Sequence, residues 1–77
     1  MDDLDIQIYE EDIAKNAYLI KAFQQKISDS LMTKFDEPNN ARVDVLVAKL
    51  NQEVARMTKE NRKLKTIVKE WYKQQND

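Results

Sequence analysis

Apolar residues recur at alternating spacings of four and three through the second half of this chain. That regularity limits the fold more than any other feature. Val43, Val47, Leu50, Val54, Met57, Asn61, Leu64, Val68 and Trp71 follow one another without a break in the alternation. A period of 3.5 residues keeps one stripe facing a partner when two helices supercoil about each other. Val47, Val54, Asn61 and Val68 take the a positions of this heptad, and Val43, Leu50, Met57, Leu64 and Trp71 take the d positions. Residues 41–75 contain neither Pro nor Gly and are rich in strong helix formers. The spacing therefore predicts one helix, about 52 Å long at a rise of about 1.5 Å per residue.

The residue types narrow the expectation. β-Branched Val at a with Leu or Met at d favours two parallel strands. A single Asn at a is costly to bury unless another amide meets it, and in a parallel, in-register pair Asn61 meets its own copy. Glu60 at g would then reach Lys65 at e of the partner. The stretches Glu53-Val54-Ala55-Arg56-Met57 and Glu60-Asn61-Arg62-Lys63-Leu64 carry a resemblance. Over residues 43–71, and nowhere before them, the chain resembles the leucine-zipper class of parallel dimeric coiled coils. That resemblance implies dimerisation, with a second copy or with a matching coiled-coil chain. Zipper transcription factors place a basic helix immediately before the zipper. Here that place holds Phe35-Asp36-Glu37-Pro38-Asn39-Asn40, a turn of net negative charge, which argues against DNA reading by that route.

The same turn divides the chain. Pro38 biases Glu37 away from helix, and Asn39 or Asn40 can cap a following helix. The expected fold is an all-α helical hairpin forming one domain: an acidic arm at 1–10, a first helix at 11–35, a turn at 36–40 and the coiled-coil helix within 41–77. Ile13, Ala17, Ile20, Ile27, Leu31 and Phe35 suggest the stripe of the first helix, with Tyr9 and Phe23 at its edge. Ser28-Asp29-Ser30 marks a weak point, because these side chains compete for backbone hydrogen bonds. In the arm, Leu4, Ile6 and Ile8 alternate with polar residues as in a strand, yet no second strand is available to pair with them. A frayed arm or an early helical turn is the simpler expectation. It leaves Leu4, Ile6, Ile8 and Tyr9 as candidate contacts for a partner, including addition to a sheet edge.

Two uses of the seam are open. A turn of five residues suits antiparallel helices, so the stripe of the second helix can pack on the first within one chain. One seam in so short a chain buries little, and small scaffolds commonly add association. Leu46 and Ile67 at g, Val45 at f and Tyr72 at e extend the apolar surface beyond a strict seam. The expected arrangement uses both. The seam meets a second chain in a parallel dimer, while Ile13, Ala17, Ile20, Phe23, Ile27 and Leu31 pack on its flank through Leu46 and Ile67.

Composition then excludes chemistry. The 77 residues include no Gly, no Cys and no His. Phosphate-cradling loops need glycine, and structural zinc sites, thiol catalysis and the usual triads need Cys or His. Glu10, Glu11 and Asp12 are adjacent acids, but solvated carboxylates near a helix start are the ordinary case. No catalytic, cofactor-binding or metal-ligating residue is assigned, and no enzyme is expected. The net charge of −1 hides an asymmetry: residues 2–12 carry −6 and residues 56–73 carry +5. Lys59, Arg62, Lys63, Lys69 and Lys73, at outer heptad positions, are candidate nucleic-acid contacts, although a solvated face is the simpler reading. No apolar run approaches the roughly 20 residues that span a bilayer, and the acidic start lacks the basic region of a secretory signal, so an intracellular protein is expected. The expected function is a protein–protein interaction module (a small adaptor, assembly subunit or regulator) that presents its arm or first helix to a further protein. The alternatives are a nucleic-acid-associated regulator and a subunit of a heteromeric helical bundle.

Overall fold

A computed structural model describes residues 2–76 as two helices, α1 over Asp3–Asp36 and α2 over Ala41–Gln75, folded back on each other. The all-α hairpin is the architecture that the spacing and the Pro38 turn call for. The molecule measures 58 × 15 × 14 Å, so it is one helix long and two helices wide.

Each boundary has a local cause. Asp2 caps α1: its carboxylate accepts from the Asp5 backbone N–H at 3.0 Å, and Asp3 and Asp5 lie at the positive end of the helix dipole. The last turn of α1 closes when the Glu37 N–H donates to the Thr33 carbonyl at 2.9 Å. Pro38 follows and cannot continue the pattern, having no N–H to donate. Asn40 restarts helix as the cap of α2: its side-chain oxygen accepts from the Arg42 N–H at 3.1 Å, while its amide donates to Glu37 Oε2 at 3.0 Å. No described residue has a positive φ, so the turn is made without glycine. Ser28-Asp29-Ser30 does not interrupt α1, which runs unbroken through it. There the Gln25 amide donates to the Asp29 carboxylate and the Thr33 hydroxyl to the Asp29 carbonyl.

The expected arm is corrected. From Asp3 onward it is the first part of α1, and Met1 lies outside the described residues. Helical rather than strand spacing buries Ile6 to 2% exposure and half-buries Tyr9, while Leu4 and Ile8 remain exposed. The residue that looked available to a sheet edge is thus the most deeply buried apolar side chain of the hairpin.

The seam of α2 faces α1 of the same chain. Val43, Leu50, Met57 and Asn61 are buried, and Val47, Val54, Leu64, Val68 and Trp71 are half-buried. The covering stripe of α1 is Ile6, Tyr9, Ile13, Asn16, Ile20, Phe23, Ile27, Ser30 and Lys34, which also alternates by three and four. In heptad terms Ile6, Ile13, Ile20, Ile27 and Lys34 are a positions, and Tyr9, Asn16, Phe23 and Ser30 are d positions. Asn16 Nδ2 donates to Asn61 Oδ1 at 3.0 Å, and Asn61 Nδ2 donates to the Ile13 carbonyl at 3.1 Å. The amide expected to meet its own copy is satisfied within the chain, and no second Asn61 is needed. With Asn16 opposite Asn61, Ile6 stands opposite Trp71, Phe23 opposite Val54 and Lys34 opposite Val43, so the numbers of each facing pair add to 77. The two stripes mirror each other about the Pro38–Asn39 bond.

Four residues expected to pack within the chain do not. Ile13, Ile20, Phe23 and Ile27 are in the stripe, but Ala17, Leu31, Leu46 and Ile67 are exposed. Phe35, placed in the stripe by its apolar character, is 86% exposed. The stripe positions beside them go to Asn16, Ser30 and Lys34, of which Asn16 bonds to Asn61. Lys34 pairs with Asp44 across the turn end, and no described buried side-chain polar atom lacks a hydrogen bond.

Asn16→Val removes the donor to a nearly buried oxygen and should destabilise the hairpin by about 1–3 kcal/mol. Asn16→Val with Asn61→Val should recover part of that loss, because both amides then leave together. A double-mutant cycle by chemical denaturation checks it, and strict additivity would show that the two amides are not coupled.

Candidate functional site

With the a and d positions turned inward, the hairpin presents two flanks. The e and b positions of both helices share one, and the g and c positions share the other. Tyr72, at e of α2, donates its hydroxyl to Glu10 Oε1, at e of α1, at 2.8 Å, which places the e positions side by side at the open end. The flanks differ in charge. The twenty e and b positions hold seven ionisable acids and bases, Asp3, Glu10, Lys21, Asp44, Arg62, Lys65 and Lys69. The twenty g and c positions hold thirteen, of both signs. The g and c flank is the more highly charged of the two, and it also exposes Ile8, Leu46 and Ile67. Arg56 there donates to Glu53 at 2.8 Å and lies 3.9 Å from Glu60. Its pKa is raised chiefly by the hydrogen bond to Glu53, with that carboxylate's charge adding to it.

The e and b flank is different. Small residues (Ala14, Ala17, Ala48, Ala55) are frequent along it. An open groove of about 670 Å³ runs along its middle, lined by Ala17, Ile20, Lys21, Gln24, Thr58, Asn61, Arg62 and Lys65. Its lining includes three cations and no acid. Toward the turn, Leu31 and Phe35 stand on the same flank and Met32 beside them, all exposed. Val45 and Leu46 are exposed at the start of α2, so the turn end carries an apolar collar.

The remaining sequence candidates fall into place around this geometry. The candidate nucleic-acid residues Lys59, Arg62, Lys63, Lys69 and Lys73 are exposed along α2, with Lys59, Arg62 and Lys63 beside Thr66 and Ile67 on its outer face. Trp71 is half-buried at the end of the seam, its ring edge-on to Tyr72 with centroids 5.0 Å apart. Among the described residues no cluster of acids is arranged to hold a metal ion, and no helix is long and apolar enough to cross a membrane. The groove itself escaped sequence reading. Its signal was present: Lys21, Arg62 and Lys65 have no acid three or four residues away on their own helices, whereas Arg56 has two. Comparison with protein-family models, with curated proteins and with solved structures gave no match.

The clasp at the open end is measurable. The hydrogen bond to Glu10 raises the Tyr72 pKa, with loss of hydration and the Glu10 charge adding to it. A raised folded-state pKa means that stability from the clasp is present below the ordinary tyrosine value of about 10 and is lost as pH rises through the raised value. Ultraviolet titration of the folded protein should show the Tyr72 phenol ionising late. Tyr72→Phe should remove that step, and Glu10→Gln should bring it back toward the ordinary range.

Proposed function

We propose that this chain is a non-enzymatic protein–protein interaction module, a helical hairpin that works as an adaptor or subunit within a larger helical assembly. The observation that carries the proposal is the set of large apolar side chains outside the seam, above all Leu31, Met32 and Phe35 on the last turns of α1. Single exposed apolar residues are ordinary, but contiguous ones rimmed by polar groups mark interaction sites. The surface area points the same way. The chain exposes 6227 Å², against about 4,900 Å² expected for a compact monomer of its 9.1 kDa. The excess is larger than the roughly 800 Å² that one partner contributes to a standard interface.

Because α1 occupies the seam, a partner meets the hairpin on its flanks and turn end. Pairing of two copies through Val47, Leu50, Val54 and Asn61 would require α1 to leave, breaking the Asn16–Asn61 bond. The hairpin therefore joins a bundle as a preformed pair of helices, with α1 presented outward.

Leu31→Ser with Phe35→Ser tests this. Both sites are exposed, so thermal stability should shift by no more than about 0.5 kcal/mol. Affinity capture from the native cell with the doubly substituted chain should recover far less of the partner than the unaltered chain does. Capture no greater than that of a charge-matched control helix by the unaltered chain would remove the proposal.

A further inference from the structure

Three cations line the groove in the middle of the e and b flank, and none forms an ion pair with a described residue. Arg62 and Lys65 are three apart on one helix face, and Lys65 and Lys69 are four apart. Like charges at those spacings repel. The acids of this flank lie elsewhere, Asp3 and Glu10 toward the open end and Asp44 toward the turn. Between the cations lie Ala17, small enough to admit another backbone, and Ile20, apolar enough to receive side chains. Unneutralised cations around an apolar trough form a site for a ligand that is apolar along its centre and acidic along its edges.

We propose that the groove between Lys21 on α1 and Arg62 and Lys65 on α2 docks an acidic amphipathic helix of a partner protein, completing a three-helix bundle. The proposal rests on the interaction-module reading and names the partner's chemistry. Apolar side chains of the incoming helix at i, i+3, i+4 and i+7 enter over Ala17 and Ile20, the mode by which helices fill grooves. Glu or Asp residues on both its margins meet Lys21 on one side and Arg62 and Lys65 on the other. A second copy of this chain fits poorly. A two-fold axis through the middle of the flank sets Lys21, Arg62 and Lys65 against their own duplicates, six cations with no acid among them. Complementary charge of this kind also accelerates encounter and suppresses wrong partners.

The experiment uses the full chain and two synthetic helical peptides of about three heptads, with Leu at a and d. One carries Glu at e and g, the other Lys. Titration by fluorescence anisotropy at low salt should show binding of the Glu peptide and not of the Lys peptide, weakening as salt rises. Lys21→Glu, Arg62→Glu and Lys65→Glu together should weaken the Glu peptide by about tenfold or more and create binding of the Lys peptide. That gain also reports that the altered chain is folded. Amide resonances of Ala17, Gln24 and Thr58 should move on binding. Equal binding of both peptides, indifference to the triple substitution, or dimerisation of the chain through this flank by sedimentation would each overturn the proposal. If cellular capture depends on Leu31 and Phe35 but not on the three cations, the interaction module stands and the acidic-helix groove falls.

Discussion

The Asn16–Asn61 hydrogen bond sets the relation between the two helices, and the geometry of the flanks depends on it. Aliphatic stripes with a 3.5-residue period can slide past one another by a turn at modest cost, because Val, Leu and Ile can take one another's places. Two amides cannot slide. A shift of one turn would leave each facing hydrocarbon, and an unpaired buried amide costs about 1–3 kcal/mol. The pair contributes modest stability and a great deal of register. Once 16 stands opposite 61, every other layer follows, from Ile6 and Trp71 at the open end to Lys34 and Val43 at the turn. So does the meeting of Glu10 with Tyr72, and the placement of Lys21 across from Arg62 and Lys65.

The all-α class, the division near Pro38 and the periodic stripe of α2 were legible in the amino-acid sequence, although that stripe was expected to face a second chain. Periodicity and proline are local signals, and long strongly periodic segments are the readiest to interpret. The stripe of α1 was harder to read because three of its nine members are Asn16, Ser30 and Lys34. Choosing apolar residues by identity favours Ala17, Leu31 and Phe35, one position removed from the true line. The correct stripe follows if the phase is carried forward from Ile6 regardless of residue type, and if Asn16 and Asn61 are noticed as mirror images about the turn. What covers the a and d positions of α2 was ambiguous for a physical reason. Val at a and Asn at one a position describe what the stripe needs opposite it, an aliphatic surface with one amide. Another copy supplies that as well as α1 does.

The inward and outward surfaces of the hairpin differ in what they do for the fold. Stability and register come from a narrow inward seam, closed by caps at Asp2 and Asn40 and clasped by Tyr72 and Glu10. The collar at Leu31, Met32 and Phe35 adds apolar area that a lone hairpin leaves in water, and the groove of the e and b flank opens over two seam residues, Ile20 and Asn61. Charge follows the same division. Where cations have acids within a helical turn, as Arg56 has Glu53 and Glu60, the surface is self-neutralised. Where they do not, it is left complementary to something else.

The backbone of the turn has a consequence for how such a chain can vary. Since no described residue takes a positive φ, no described site is reserved for glycine by its backbone, and Pro38 alone restricts the residue before it. The fold is then held by side-chain identity along two lines of nine residues, and the outward positions are free to drift. Two such hairpins could keep one shape and share almost no surface sequence, each fitted to a different neighbour.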